Sequence, residues 1–169
     1  QHDGDAIYLV GETKAEFGGS ELQNVLEGKY SGKAPEIDLE VEAERQKQIL
    51  TAIREGLVES AHDVAEGGFA VALAESTFGA EGFGADVELN GDPTTVLFSE
   101  SQSRFLLSVT QENQEKFEAV VRDAVRIGTV TNDGKLRISI NGETVIDDET
   151  AKLNELWREA IPQLLKSKA

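Results

Sequence analysis

The sequence predicts an α+β fold in which a single mixed, mainly antiparallel sheet is covered by helices. Short apolar stretches such as DAIYLVG and RFLLSVT have the length and composition of strands. Residues 38–56 instead carry apolar side chains at helical spacing. The sequence Asn132-Asp133-Gly134 joins two strand-like segments, and Asp-Gly tolerates the positive φ that short hairpins favour.

Strands and helices mix along the first part of the chain. Asp38 is placed to cap a helix and Gly56 to end it. The segment 68–78 is apolar on most faces, so we expect it to be buried between other elements. We predict strands at 5–11, 60–64 and 84–89, helices at 21–26, 38–56, 68–78 and 92–97, and loops at 28–35 and 79–84.

The second part continues with more strands and ends in a long helix. We predict strands at 104–110, 127–131, 135–140 and 143–147, and helices at 112–125 and 148–165. Pro162 is expected to kink the last helix or to begin a separate last turn. The apolar stripe of that helix consists of Leu153, Leu156, Trp157, Ala160, Ile161 and Leu164.

Length and composition exclude several classes of protein. The 169 residues suit one domain, and the absence of cysteine excludes disulfides, thiolate metal sites and a cysteine nucleophile. It also fits a reducing compartment, and we expect a cytoplasmic protein. A net charge of −16 repels nucleic acid and anionic lipid, so neither is expected as a partner. The chain lacks methionine and starts at Gln1, which predicts a processed chain or, in preference, a piece of a longer polypeptide.

The run HDVAEGG, residues 62–68, is the first candidate site. Gly67 and Gly68 stand at a strand-to-helix junction, where backbone comes close to a ligand and free amides bind anions. Asp63 and Glu66 are weak candidates for holding Mg²⁺ beside a phosphate, or alternatively they cap the helix. His62 is a lone histidine, for which a structural role is the commoner one.

A second polar cluster precedes the strand at 104–110. Its side chains offer donors and acceptors to a ribose or a phosphate, and Arg104 is able to pair with a phosphate or, structurally, with Glu100. No nucleophile arrangement accompanies it, so we assign no catalytic residue and no confident metal ligand. The cluster consists of Ser99, Glu100, Ser101, Gln102 and Arg104.

Five motifs occur in an order that resembles the C-terminal domain of the aminoimidazole ribonucleotide (AIR) synthetase superfamily. Within it, the resemblance is greatest to the last domain of the phosphoribosylformylglycinamidine synthases, in the small bacterial form of the synthetase subunit. It spans essentially the whole chain, and FGGSE and SESQSR are its specific parts. The motifs are DAIYLVG (5–11), FGGSE (17–21), SAHDVAEGG (60–68), FSESQSR (98–104) and IGTV (127–130).

This resemblance implies a role in de novo purine synthesis. The family carries out the ATP-dependent amidation of formylglycinamide ribonucleotide, with ammonia from a separate glutaminase subunit and a small bridging subunit in the complex. ATP and Mg²⁺ belong largely to N-type domains that this chain lacks. Residues 1–169 are then the single last domain, which is inactive alone, binds no cofactor tightly and completes a phosphate or nucleotide cleft. The resemblance extends substrate or auxiliary phosphate binding to Ser99–Gln102.

Two alternatives remain open at this point. In the first, the chain belongs to another enzyme of the superfamily: AIR synthetase, selenophosphate synthetase or thiamine-phosphate kinase. FGGSE and SESQSR argue against these enzymes. In the second, the chain is a structural module that docks the partner subunits without binding a ligand.

Overall fold

A seven-stranded sheet forms the centre of the computed structural model, which describes residues 1–79 and 82–166. Its strands lie in the order β2-β4-β1-β5-β3-β6-β7, and every neighbouring pair is antiparallel except β3 and β6. The predicted single mixed, mainly antiparallel sheet is therefore confirmed. The strands are β1 (Ala6–Val10), β2 (Ser60–Asp63), β3 (Gly84–Leu89), β4 (Phe105–Val109), β5 (Ala124–Thr131), β6 (Lys135–Ile140) and β7 (Glu143–Glu149).

Helices cover both faces of this sheet. The helices are α1 (Glu21–Glu27), α2 (Leu39–Arg54), α3 (Gly68–Ser76), α4 (Pro93–Phe98), α5 (Gln114–Val120) and α6 (Thr150–Lys166), and a 3₁₀ turn spans Gln111–Asn113. The predicted loop 79–84 includes residues 80 and 81, which lie outside the described residues.

The central strand β1 separates two hydrophobic cores. Because successive side chains of a strand point to opposite faces, Ile7 and Leu9 pack with α3 and α4. The alternate residues Ala6, Tyr8 and Val10 pack with α2 and α5 on the other face. All five residues of β1 are buried. The helix α3 is apolar because it is buried, as predicted: Phe69, Ala70, Ala72 and Leu73 belong to the first core.

Side-chain caps fix three helix starts. Ser20 accepts a hydrogen bond from the Gln23 amide at the start of α1, and Asp38 accepts from the Glu40 and Val41 amides at the start of α2, as predicted. Gly56, at φ 71°, follows the end of α2. Asp92 caps α4, the short helix that leads into residues 99–104.

Asp92→Ala is expected to lower the thermal midpoint at neutral pH. The Oδ2 atom of Asp92 accepts hydrogen bonds from the amide and the hydroxyl of Thr95, both at 2.9 Å. These bonds lower the pKa of Asp92 below its ordinary value of 3.8. The stabilisation is therefore present above about pH 4 and is lost as the pH falls through the lowered pKa.

Thermal melts over an acidic-to-neutral pH series test this expectation. Asp92→Asn is the matched control, because asparagine caps a helix without titrating. The difference in midpoint between the wild type and Asp92→Ala should shrink as the pH falls. An equal difference at low and neutral pH would contradict the assignment.

The predicted helix at 112–125 is wrong at its C-terminal end. Helix α5 ends at Val120, Val121 is extended at φ −104° and ψ 91°, and β5 begins at Ala124. Ala124 pairs with Val10 of β1, so sheet pairing overrides the helical spacing of the apolar residues here. The strand predicted at 127–131 accordingly begins three residues earlier.

The last helix leaves most of its apolar side chains exposed. It runs unbroken through Pro162 to Lys166, so no separate last turn begins there. Leu153 packs against the first core, but Leu156, Trp157 and Ile161 are 60%, 57% and 70% exposed. The predicted stripe therefore exists, but most of it lies at the surface. None of the described helices combines the length and the apolar character that a membrane crossing requires.

Candidate functional site

The two polar segments singled out in the sequence lie side by side. The Val64 amide donates to the Arg104 carbonyl at 2.9 Å, and the Gly67 amide donates to Oε1 of Glu100 at 2.9 Å. Gly68 lies so close to residues 98 and 99 that an added Cβ would stand 2.7 Å from the Ser99 carbonyl oxygen. Residues 62–68 and 99–104 thus form one site rather than two.

Gly67 and Gly68 both have a positive φ at the start of α3. Gly67 is the N-cap of α3 at φ 81°, and Gly68 begins the helix at φ 73°. Residues that carry a Cβ rarely adopt this left-handed backbone conformation. No side chain caps the start of α3. The chain can thus turn sharply from β2 into α3 and place backbone against the neighbouring loop.

Glu100 joins three segments through one carboxylate. Its Oε1 atom accepts hydrogen bonds from the Glu21 amide at 2.8 Å and from the Gly67 amide at 2.9 Å. Its own amide donates to the Glu16 carbonyl at 3.1 Å. The Gly67 amide, which the sequence offers to a ligand anion, is therefore engaged by an anion of the chain itself.

Arg104 holds the shape of the loop from inside. It is 1% exposed, and its guanidinium donates to the Ser101 carbonyl at 3.0 Å, to the Ser99 carbonyl at 2.5 Å and to the Thr13 hydroxyl at 3.1 Å. Burial lowers the pKa of Arg104 to about 10, although the nearby carboxylates of Glu16 and Glu100 act in the opposite direction. The group stays charged at neutral pH, and its donors bind oxygens other than the Glu100 carboxylate.

The remaining polar side chains of the cluster differ in exposure. The Ser101 hydroxyl is buried, accepts from the Lys14 amide at 2.9 Å and donates to the Lys14 carbonyl at 3.1 Å. The Ser99 hydroxyl is fully buried and has no hydrogen-bond partner among the described residues. Gln102 is exposed, and its amide donates to the Glu100 carbonyl at 3.2 Å. Ser99 and Ser101 therefore support the loop, and only Glu100 and Gln102 are accessible.

Asp63 and Glu66 are exposed in this structure. Asp63 ends the edge strand β2, and Glu66 lies in the turn before Gly67. Among the described residues, the one group of three or more potential metal ligands is His2, Asp5 and Glu59, which does not include them. Since Mg²⁺ is commonly held by one or two carboxylates together with substrate phosphates, a role of Asp63 and Glu66 in holding it stays a prediction, and we derive no step through that ion.

His62 has a structural partner. Its Nε2 atom lies 3.4 Å from Oε2 of Glu75 in α3, and Oε1 of Glu75 accepts a hydrogen bond from the Trp157 indole at 2.9 Å. This contact series joins β2, α3 and α6. It agrees with the structural role expected for a lone histidine.

A polar groove of about 290 Å³ runs beside the loop at residues 101–103. Four carboxylates line it, and two cationic side chains balance them only in part. Arg45 is engaged, because its Nε atom lies 2.5 Å from Oδ2 of Asp123 and its Nη1 donates to the Ser103 carbonyl. An anionic ligand is therefore disfavoured in this groove. The charged lining residues are Glu12, Lys14, Glu16, Glu36, Asp38 and Arg45.

Sequence reasoning missed the contribution of residues 12–21. Thr13, Lys14 and Glu16 bind the 99–104 loop through one hydroxyl and three backbone groups, and the Glu21 amide binds Glu100. Residues 12–16 form no regular secondary structure, and their sequence carries no periodic pattern that would have placed them here. The FGGSE motif, which ends at Glu21, was the available signal.

Comparisons with known proteins agree with this architecture. Residues 2–141 match the family model described as AIR synthase related protein, C-terminal domain. The chain is similar to Thermotoga maritima PurL complexed with FGAR, with a TM-score of 0.78 and 21% identity over 91% of this chain and 28% of that one.

Two further solved structures are similar. PurLQS from the same organism gives a TM-score of 0.73 and 22% identity over 91% of this chain and 26% of that chain. The hydrogenase maturation protein HypE in complex with ATP gives a TM-score of 0.57 and 16% identity, over 88% of this chain and 52% of that one. The chain spans only about a quarter of the PurL chains, and at these identities the likeness shows a shared fold.

Proposed function

Because the chain belongs to the family of C-terminal domains of AIR synthase related proteins, we propose that it is the last domain of a phosphoribosylformylglycinamidine synthase. In that enzyme it would serve the ATP-dependent amidation of formylglycinamide ribonucleotide, in the cytoplasm. The relation to PurL structures solved with FGAR, with ATP and with AMPPCP supports this assignment. Its domain partners are then the preceding domains of the same polypeptide. Its subunit partners are a glutaminase and a small bridging subunit, in keeping with PurLQS.

The role we assign to the chain is positional. The contact between Gly67 and Glu100 is the observation that carries the proposal, since it gathers a glycine-rich helix start and the SESQSR loop into one wall. Further residues complete that wall, either by contacting the ligand directly or by supporting the residues that do. They are Asp63, Glu66, Gly68, Ser99, Ser101, Gln102 and Arg104. A phosphoryl group that reaches the Gly67 amide must replace the Glu100 carboxylate, because both accept from the same donor.

ATP chemistry is assigned to the rest of the polypeptide. Among the described residues, the histidines are engaged with carboxylates, and Asp63 and Glu66 do not gather a third ligand. When bound in the complete enzyme, ATP would supply the activating phosphoryl group. This chain would contribute the wall that orients the anionic substrate.

We expect the isolated chain to show no hydrolysis of ATP that depends on formylglycinamide ribonucleotide. A phosphate-release assay with the purified chain measures this. Mixing it with a polypeptide of the preceding domains should restore turnover, which serves as the positive control. Turnover by the chain alone would overturn the positional role.

Amide chemical shifts distinguish ligand binding from pure docking. We expect formylglycinamide ribonucleotide, at millimolar concentration because half of the cleft is absent, to shift the amides of Gly67, Gly68 and Glu100. The unphosphorylated ribonucleoside is the matched control and should leave them unchanged. No response at these amides would favour the docking module.

One observation supports a second candidate function, in which the chain is a module that docks partner subunits. Helix α6 lies outside the matched residues 2–141 and exposes most of its apolar stripe, including Leu156, Trp157 and Ile161. Such a surface suits contact with another protein.

A further inference from the structure

Two Asn-Gly sequences meet at one end of the sheet. Asn90-Gly91 follows β3, and Asn141-Gly142 follows β6. Since β3 and β6 are neighbouring parallel strands, their C-terminal ends lie next to each other. The Asn141 amide continues the ladder by donating to the Leu89 carbonyl at 3.0 Å.

The side chain of Asn141 clamps the backbone of Gly91. Its Oδ1 atom accepts from the Gly91 amide at 3.0 Å, and its Nδ2 donates to the Gly91 carbonyl at 2.8 Å. Asn141 itself has φ 54°, a left-handed conformation that asparagine tolerates. The clamp joins the turn after β6 to the turn that precedes α4.

Asn-Gly sequences are open to a specific covalent change. The glycine nitrogen attacks the asparagine Cγ, the Cγ–Nδ2 bond breaks, and ammonia leaves with the proton from the backbone nitrogen. The resulting succinimide takes up water and opens to aspartate or isoaspartate. Glycine has no side chain to hinder ring closure. Both asparagines here are exposed, so solvent reaches them.

In this fold both attacking nitrogens are engaged in hydrogen bonds. The Gly91 amide, which would attack Asn90, donates to Asn141. The Gly142 amide, which would attack Asn141, donates to Oε1 of Glu88 at 2.8 Å. The Asn141 side-chain amide is itself held against Gly91, so it must leave that clamp before its Cγ can be attacked.

We propose that Asn90 and Asn141 are coupled deamidation sites, in which Glu88 protects Asn141 and the side chain of Asn141 protects Asn90. Deamidation of Asn141 replaces the Nδ2 donor by a carboxylate oxygen facing the Gly91 carbonyl, and two acceptors repel each other. The clamp then opens, and the Gly91 nitrogen becomes free to attack Asn90. The first modification therefore promotes the second.

The coupling reaches the candidate site through α4. Asp92, next to Gly91, caps this helix, and the helix ends at Phe98 beside Ser99. Loss of the clamp loosens the start of α4, so it removes one support of the 99–104 loop. Each deamidation also adds a negative charge to a chain that already carries −16.

Peptide mapping by mass spectrometry that separates asparagine, aspartate and isoaspartate forms tests the proposal. The native chain is incubated at mildly alkaline pH and compared with the chain unfolded in urea. Asn141→Gly keeps a residue that tolerates positive φ but removes the clamp, and should speed deamidation of Asn90 about fivefold, the effect of losing roughly one hydrogen bond. Glu88→Ala should similarly speed deamidation of Asn141, and provides a second route if Asn141→Gly unfolds.

Ser139→Ala is the matched control, because its hydroxyl lies 3.2 Å from that of Thr144 in the same hairpin without touching either glycine. It should leave both rates unchanged. An unchanged Asn90 rate in folded Asn141→Gly would overturn the coupling. Equal rates in the native and urea-unfolded chain would overturn the protection itself.

Discussion

Gly68→Ala is expected to destabilise the chain by about 3 kcal/mol or more. The residue has φ 73°, where a side chain costs roughly 1–2 kcal/mol. The added Cβ would also stand 2.7 Å from the Ser99 carbonyl oxygen and 2.8 Å from Phe98 backbone atoms. Backbone has to move, and the Ser99 carbonyl is the acceptor of a bond from Arg104.

Gly28→Ala provides the matched control. Gly28 ends α1 at φ 69°, nearly the same conformation, but nothing lies within 4 Å of its added Cβ. It should therefore show only the conformational cost, about 1 kcal/mol. Urea unfolding of both variants measures the difference, which reports the contact between α3 and the 99–104 loop. Equal losses in the two variants would show that this contact is not tight.

The sheet could be predicted because its signals are local. The segments AIYLV and FLLSV are short apolar runs that form β1 and β4. Asn132-Asp133-Gly134 does form the turn between β5 and β6, but the hairpin expected there is wrong, because β3 lies between these two strands and pairs with both. The end of α5 could not be predicted, because the apolar residues Val121, Ala124 and Val125 fit either a helix or a strand. Pairing of Ala124 with Val10 decides between them, and that partner lies more than a hundred residues away.

The candidate site was predictable in its members but less so in their roles. The residue type of Gly67 and Gly68 alone predicts a sharp turn, and both residues have a positive φ in the structure. The sequence allows Arg104 to face a ligand, yet the fold surrounds it with backbone carbonyls, because it directly precedes a buried strand. Such burial depends on residues 12–16, which no local pattern connects to the loop.

The exposed part of α6 illustrates a different limit. The helical spacing of Leu153, Leu156, Trp157 and Ile161 predicted an apolar stripe but not its cover. In the structure Leu153 joins the core, whereas the other three remain mostly at the surface. Periodicity reports which side chains share a face, whereas what that face contacts is set by tertiary structure and by partners.

Glu100→Ala is expected to lower the free energy of unfolding by about 2–3 kcal/mol, because two backbone amides lose a charged acceptor. The amides are those of Glu21 and Gly67, which belong to segments far apart in the chain. Without the carboxylate, α1 and the start of α3 are no longer held to the loop. Glu100→Gln keeps an oxygen acceptor without the charge, so its loss should be smaller, about 1 kcal/mol.

Gln102→Ala tests whether the loss is specific to the carboxylate. Gln102 lies in the same loop, is exposed and makes one bond of 3.2 Å to the Glu100 carbonyl, so its removal should change stability by less than about 0.5 kcal/mol. Urea unfolding of the three variants gives the comparison. If Glu100→Ala proves as stable as Gln102→Ala, the carboxylate does not hold the site together.

The same variants reveal whether Glu100 occupies an anion site. Inorganic phosphate should raise the thermal midpoint of Glu100→Gln more than that of the wild type, relative to chloride at equal ionic strength, because the Gly67 amide is then held by a weaker, uncharged acceptor. The wild-type carboxylate competes with phosphate for that amide, so it should blunt the response. Equal phosphate responses in both proteins would mean that Glu100 supports the wall without sharing its donor with a ligand.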